Sequence, residues 1–344
     1  MWTDVALIGT AAATASALTT GLIRTRALSH GMLDVPNERS SHTRSTPRGG
    51  GAAIVVAVCV GSIVLAMVEA LRPALPVALL GGGAAVATVG YIDDRFTIAW
   101  GARLVVHLAA AAWALIWLGG MPAVLIGGQL VQLGWVGELL ALLGIVWTLN
   151  LFNFMDGIDG IAASEGIFIG CAAGFLILPG GASGVAQISI VLAAACGGFL
   201  LWNWPPAKIF MGDVGSGYIG YVLAVLALAA AHDNPAALWV WLILGGVFLV
   251  DATVTLVRRL ARGDPIQLAH RTHAYQWLAR RWQSHRRVTL SVLALNLFWL
   301  LPWACLAAAF PRFGAAITLA ALAPLTVLAL AAGAGRAEVP LIQS

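Results

Sequence analysis

The residues able to do chemistry are few, and they gather where apolar runs end. Asn153-Phe154-Met155-Asp156-Gly157-Ile158-Asp159-Gly160 joins a run that ends at Leu151 to one that begins at Ile161. A carboxylate in hydrocarbon is costly unless it is paired, metal-bound or hydrated. Asn153, Asp156 and Asp159 are spaced by three, so a continued helix sets them on one face. Such hard oxygens suit Mg²⁺, with phosphate and water completing the shell. The plain alternative is a pair of Asp-Gly turns linking two helices. Asp93-Asp94 closes another run, beside Arg95. Adjacent carboxylates repel unless a cation lies between them. That suits a metal site or a general base, against an ordinary polar helix end.

A third cluster runs from Asn203 to Gly217 and contains Trp204-Pro205-Pro206-Ala207-Lys208-Ile209-Phe210-Met211-Gly212-Asp213. Pro-Pro stops a helix, and the glycines free the backbone ahead of the next one. A glycine-rich approach to a helix N-terminus is a ready phosphate site, with Asp213 placed to hold a bridging metal. A capped loop with Asp or Ser as N-cap is the simpler reading. Arg44 and Arg48 flank Pro47 ahead of Gly49-Gly50-Gly51, a pattern suited to an anionic ligand. His270-Arg271-Thr272-His273 could hold a diphosphate or neutralise its charge. Downstream, Trp277 and Trp282 alternate with arginines through residue 287, as in a basic amphipathic surface helix. Asp251, inside an apolar run, should be paired or face a cavity. His107 reads as a packing histidine.

These clusters need a scaffold, and composition says which. The 344 residues are 60% hydrophobic and 10% charged, far below the charge of a soluble domain. The fold class expected is an all-α polytopic integral membrane protein in a single domain, 1–344. Apolar runs at 3–23, 50–71, 75–92, 102–119, 135–152, 161–178, 185–203, 216–231, 236–257, 288–310 and 314–333 give eleven transmembrane helices. The first reads as a retained helix and not a signal peptide. Residues 124–131, with Gly127-Gly128 between short aliphatic runs, read as a β-hairpin. The four cysteines all lie in apolar runs, as small buried hydrophobes.

The basic residues orient the scaffold. All but Arg72 and Arg312 of the 19 Lys and Arg fall in loops on one side (24–48, 93–103, 204–215, 258–287) or in the C-terminal tail. That side is cytoplasmic, which puts the N-terminus outside, the C-terminus inside and the hairpin on the outer face. Asp93, Asp94, Asp156, Asp159 and Asp213 share the cytoplasmic face. A transporter or flippase, the leading alternative, would instead carry ionisable groups near the midplane on broken helices.

The ordered set of Asp-Asp, Asn-x-x-Asp-Gly-x-Asp-Gly, Pro-Pro-Ala-Lys-x-Phe-Met-Gly-Asp-x-Gly-Ser and a His motif resembles the polyprenyl-phosphate N-acetylhexosamine-1-phosphate transferases, relatives of phospho-N-acetylmuramoyl-pentapeptide translocase. Leu33 to His42, Pro47 to Gly51 and Ala269 to Gln276 resemble the branch that initiates O-antigen and thus lipopolysaccharide synthesis. The run of three histidines typical of the translocase branch is absent. The resemblance implies transfer of a sugar-1-phosphate from a UDP-N-acetylhexosamine (GlcNAc or a 6-deoxy sugar) to undecaprenyl phosphate, releasing UMP. The setting it implies is the bacterial cytoplasmic membrane, with Mg²⁺ (or Mn²⁺) as cofactor, no nucleic-acid partner and a homodimer as a compatible state. Asp213 would be the main metal ligand, with Asn153 or Asp156 nearby. Asp93 and Asp94 would position or deprotonate the lipid phosphate. Asn203, Phe210 and Asp159 resemble uridine contacts. His270, Arg271 and His273, with Arg44, Arg48 and Lys208, would hold the diphosphate and sugar.

Overall fold

The computed structural model describes residues 2–36, 45–68, 73–177, 183–265 and 270–337. Arg44 and Arg72 lie outside them. Over the described residues, every expected apolar run is essentially helical. In chain order the helices are α1 (Trp2–Ser29), α2 (Ala52–Val68), α3 (Ala74–Phe96), α4 (Trp100–Leu118), α5 (Gly134–Met155), α6 (Ile161–Ile177), α7 (Ser183–Asn203) and α8 (Asp213–Asp233), followed by α9 (Ala237–Leu244), α10 (Gly246–Ala261), α11 (Ala274–Trp282), α12 (His285–Leu295), α13 (Leu301–Ala309) and α14 (Gly314–Ala332). Among the described residues, eight helices or continuous helical stretches are long and apolar enough to cross a membrane. Strands β3 (Val124–Ile126) and β4 (Gln129–Val131) form the expected antiparallel hairpin. An unexpected ribbon pairs β1 (Leu33–Asp34) with β2 (Thr46–Pro47).

The centre of the bundle is α8. Of its most apolar stretch, 94% is enclosed by protein, against 22% for α1 and for α4. Small residues permit this enclosure. Gly220 of α8 lies against the Thr148 and Leu149 backbone of α5, and Gly215 against Gly51 at the head of α2. Tyr218 and Tyr221 fill the remaining space, fully buried, and Tyr221 donates its hydroxyl to the Ala78 carbonyl of α3 at 2.8 Å.

Three expected elements are divided. Residues 236–257 are not one straight span, because the chain bends by 70° between α9 and α10. At the bend, Leu300 and Leu322 occupy the space that a side chain on Gly246 would need. Between α12 and α13 the helix widens into a π turn at Asn296–Leu300. Pro302 lacks the N–H that an α-helical bond to Phe298 would require. In the widened turn Asn296 faces inward and donates to Glu165 of α6 at 2.6 Å, both residues fully buried. The basic helix expected at 277–287 is likewise two helices. Gln283 takes a left-handed conformation (φ 50°) and Ser284 caps α12 by accepting from the Arg287 N–H.

Candidate active site

Three chain segments meet at one end of α8. The helical phase expected from Asn153 to Asp159 stops early: α5 ends at Met155, the Asp156 N–H turns back to the Asn153 carbonyl, and Gly160 adopts φ 77°. The two aspartates therefore sit on a turn, yet still face the same cleft as Asn153. The segment after α7 is zipped to the segment before α2: Phe210 N–H bonds to Pro47 O, Gly50 N–H to Phe210 O and Gly51 N–H to Met211 O, all at 2.8–2.9 Å. This zipper sets Arg48 beside Asp213. Asn203 fastens the floor, accepting from the Gly160 N–H and donating to the Ile209 carbonyl, each at 2.9 Å.

The start of α8 is not an open phosphate site. Gly212 precedes it without any side-chain cap, and the cap comes from α3. Asp94 accepts from the Asp213 N–H at 2.9 Å and the Val214 N–H at 3.2 Å. It also pairs with Arg48 Nε at 2.8 Å. Arg48 Nη2 then reaches Asp213 Oδ1 at 2.6 Å, while Arg103 of α4 spans Asp93 and, at 3.2 Å, Asp213 Oδ2. Asp93 also takes the Ile98 N–H. Each half of the Asp-Asp pair thus tethers one arginine, and both arginines lean on Asp213. Gly90 allows this approach of α3 to α8. A Cβ there would lie 2.6 Å from the Asp213 backbone, so Gly90→Ala should cost about 1–3 kcal/mol, read as a lower melting temperature of the purified protein.

A cleft of about 240 Å³ opens here, lined by Arg48, Asn153, Asp156, Asp159, Asn203, Phe210 and Asp213 from the expected set. Ser216, Gln276, His285 and Asp34 also line it, and sequence reasoning had not named them as site residues. Asn153 donates to Ser216 Oγ at 3.2 Å. Burial pushes the Asp156 carboxyl well above the usual carboxylate range. Asp213, Asp94 and Asp159 push the same way, against Arg48. Burial disfavours the Arg48 charge, but Asp213 and Asp94 more than offset it and hold the guanidinium firmly protonated.

The remaining expected residues lie around the cleft and do not line it. Lys208 is exposed and turned onto the Trp202 ring at 5.7 Å. His270 and His273 stack at 5.0 Å, and His273 is buried against Phe154 and Tyr275. Arg271 lies between them in the chain, its carbonyl held by Arg280 at 2.9 Å. Asp251 is paired, as expected, in a specific way. Buried in α10, it caps α11 by accepting from Ala274 and Tyr275 N–H at 2.8 and 3.0 Å, with His273 Nδ1 at 3.4 Å. Tyr275 in turn donates to the Phe154 carbonyl at 2.8 Å, which fixes α11 to the cleft turn. His107 is buried one turn after Arg103, as a packing residue would be.

Among the described residues no three His, Cys, Asp or Glu side chains form a closed metal cage. Mg²⁺ does not need one: one or two carboxylates suffice when substrate phosphates supply the rest. Asp213, Asp156 and Asn153 offer hard oxygens on one wall. A carboxyl whose charge is disfavoured by burial and by neighbouring carboxylates is one whose charged form a divalent cation would stabilise. The donor set fits the ion.

A model of glycosyl transferase family 4 matches residues 76–231, from α3 to α8. The chain is 34% identical over 324 residues to decaprenyl-phosphate N-acetylglucosaminephosphotransferase of Mycolicibacterium smegmatis, covering 84% of this chain and 79% of that one. It is 29% identical over 284 residues to the probable undecaprenyl-phosphate N-acetylglucosaminyl 1-phosphate transferase of Bacillus subtilis, covering 81% and 77%. It is 31% identical over 244 residues to phospho-N-acetylmuramoyl-pentapeptide-transferase of Moorella thermoacetica, covering 64% and 74%. A multi-pass membrane protein with this cleft, aligned over most of its length with such enzymes, belongs to glycosyl transferase family 4.

Proposed function

We propose that the chain transfers an N-acetylhexosamine-1-phosphate from a UDP-sugar to undecaprenyl phosphate, in the bacterial cytoplasmic membrane. The observation that carries the reading is the lattice of Asp93, Asp94, Asp213, Arg48 and Arg103 at the ends of apolar helices, in which Arg48 and Asp213 line the cleft. Phosphoryl transfer needs aligned charge more than covalent protein chemistry. A phosphate oxygen of the lipid bonds to the β-phosphorus of the donor, and the bond between that phosphorus and the bridging oxygen breaks. UMP leaves with the electron pair, and the lipid carries the sugar diphosphate. Mg²⁺ would supply neutralisation of the phosphate oxygens, held by Asp213 with Asn153 or Asp156. Asp93 and Asp94, their oxygens committed to arginines and backbone N–H groups, position Arg103, Arg48 and Asp213. Asp156 is the group in the cleft suited to accept a proton from the lipid phosphate. The distribution of basic residues supports a cleft on the cytoplasmic face and an outer N-terminus, in an arrangement of eleven spans. A prenyl chain can then stay in lipid while a soluble nucleotide arrives from the cytosol.

Relatives named for N-acetylglucosamine support GlcNAc as the first sugar to test, and the polymer we propose it begins is O-antigen or a related cell-wall polysaccharide. The test is UMP release by purified protein with undecaprenyl phosphate, Mg²⁺ and a panel of UDP-N-acetylhexosamines, each with and without EDTA. The expected result is release that needs lipid and metal, with one donor preferred. Absence of release with every donor, together with no donor binding, would favour the transporter reading.

A further inference from the structure

We infer that Arg24 and Lys208 form a binding site for the phosphate headgroup of an anionic phospholipid, at the membrane surface on the same side as the cleft. The site needs only the membrane setting and no assigned reaction. Lys208 is the single lysine of the chain. It does not line the cleft, so its charge has no part there. Its ammonium lies 5.7 Å from the centre of the Trp202 ring, and the Arg24 guanidinium lies 5.9 Å from the same ring. Arg24 Nε also donates to the Lys208 carbonyl at 3.2 Å, which ties the end of α1 to the segment after α7.

The ring that gathers the two cations is pinned. Trp202 Nε1 donates to the Ala17 carbonyl at 2.9 Å, and the ring lies against Gly21 of α1. An aromatic face attracts a cation but leaves its charge whole. Two like charges at one ring repel, and among the described residues no carboxylate pairs with either. A phosphate shared by the guanidinium and the ammonium would remove that repulsion through charge-assisted hydrogen bonds. Depth decides which phosphate. Leu18 and Leu22 of α1 and Leu201 of α7 are exposed apolar residues just before the pair in each helix. The two cations therefore stand where hydrocarbon gives way to headgroups, the level at which an indole serves as an interfacial anchor. Basic groups at that level draw anionic lipids. The acceptor lipid of the proposed reaction is not the occupant, because its phosphate has to reach Asp213 in the cleft.

The experiment is native mass spectrometry of purified, delipidated protein with an equimolar mixture of phosphatidylglycerol and phosphatidylcholine. The readout is the ratio of the two in protein that carries one lipid. Wild type should favour phosphatidylglycerol by about tenfold. The double variant Arg24→Gln, Lys208→Gln should lose most of that preference. Its melting temperature in detergent alone should stay close to that of wild type, since the Trp202 anchor to α1 remains. Arg24→Lys keeps the charge but not the Nε bond to the Lys208 carbonyl, and should keep the preference. A loss there as large as in the double variant would make the pair a strap and overturn the inference. Arg26→Gln removes an exposed charge two residues away and should leave the ratio intact. An equal loss in that variant would mean that bulk charge sets the ratio, and would overturn the inference. So would an unchanged ratio in the double variant, or a wild type without preference. Inorganic phosphate should not raise the melting temperature of wild type as phosphatidylglycerol does. A matching rise that the double variant lacks would make the site one for a free anion and overturn the lipid assignment.

Discussion

Asparagine at position 213 abolishes sugar-phosphate transfer while the protein still inserts in the membrane and purifies folded. Asp213 heads α8 and is the point on which Arg48 and Arg103 converge, at 2.6 and 3.2 Å. The amide keeps the shape and one acceptor oxygen. It loses the negative charge that balances two guanidinium groups, and the second hard oxygen that Mg²⁺ would share with substrate phosphates. Transfer should fall on the order of 10³-fold, since the lost group acts on the charge that develops at phosphorus. Binding of Mn²⁺ to the protein alone should weaken in parallel. The backbone of residue 213 remains capped by Asp94, so the melting temperature should move little. Near-normal transfer in this variant would remove Asp213 from the metal role.

Lysine at position 48 lowers transfer on the order of 10²-fold. Arg48 bridges two carboxylates from different helices with two different nitrogens, Nε to Asp94 and Nη2 to Asp213. Lysine offers one point charge on a flexible stem and cannot span both partners. Asp94 would keep its two backbone donors, but Asp213 and the crowded Asp156 would lose their shared counter-charge. The natural control is Arg95→Lys. Arg95 follows Asp94 in sequence but stacks on Tyr91 at 4.3 Å, so its replacement should leave UMP release unchanged. Equal losses in the two variants would mean that bulk positive charge matters, and not the bridge.

Much of this was legible in the chain because lipid imposes a strong code. Each of the eleven apolar runs became helix, and Gly127-Gly128 made its hairpin. The bend at Gly245–Gly246 was not legible, because uninterrupted hydropathy is compatible with one span or two. It depends on Leu300 and Leu322 filling the glycine's space from other helices. The acids of the cleft stood out because carboxylates are conspicuous in an apolar sequence. Their partners did not. Arg103 counted only toward the orientation of the loops, and its role follows from α3 and α4 lying side by side. Asp94 looked like a base or metal ligand, and only the arrival of α8 shows that it caps that helix. His285 was hidden among arginines in what read as one surface helix, until Gln283 and Ser284 split it.

The enclosure of α8 bears on how the enzyme endures a changing membrane. Cells alter acyl length and unsaturation with temperature, and a lipid-facing helix answers by tilting. Here such adjustments fall on α1 and α4, whose apolar surfaces are mostly uncovered, while α8 touches protein almost throughout. The residue that organises the charge lattice is mounted on the helix least exposed to the bilayer. Reconstitution in vesicles of short and long acyl chains should therefore shift melting temperature more than it shifts the affinity for UMP.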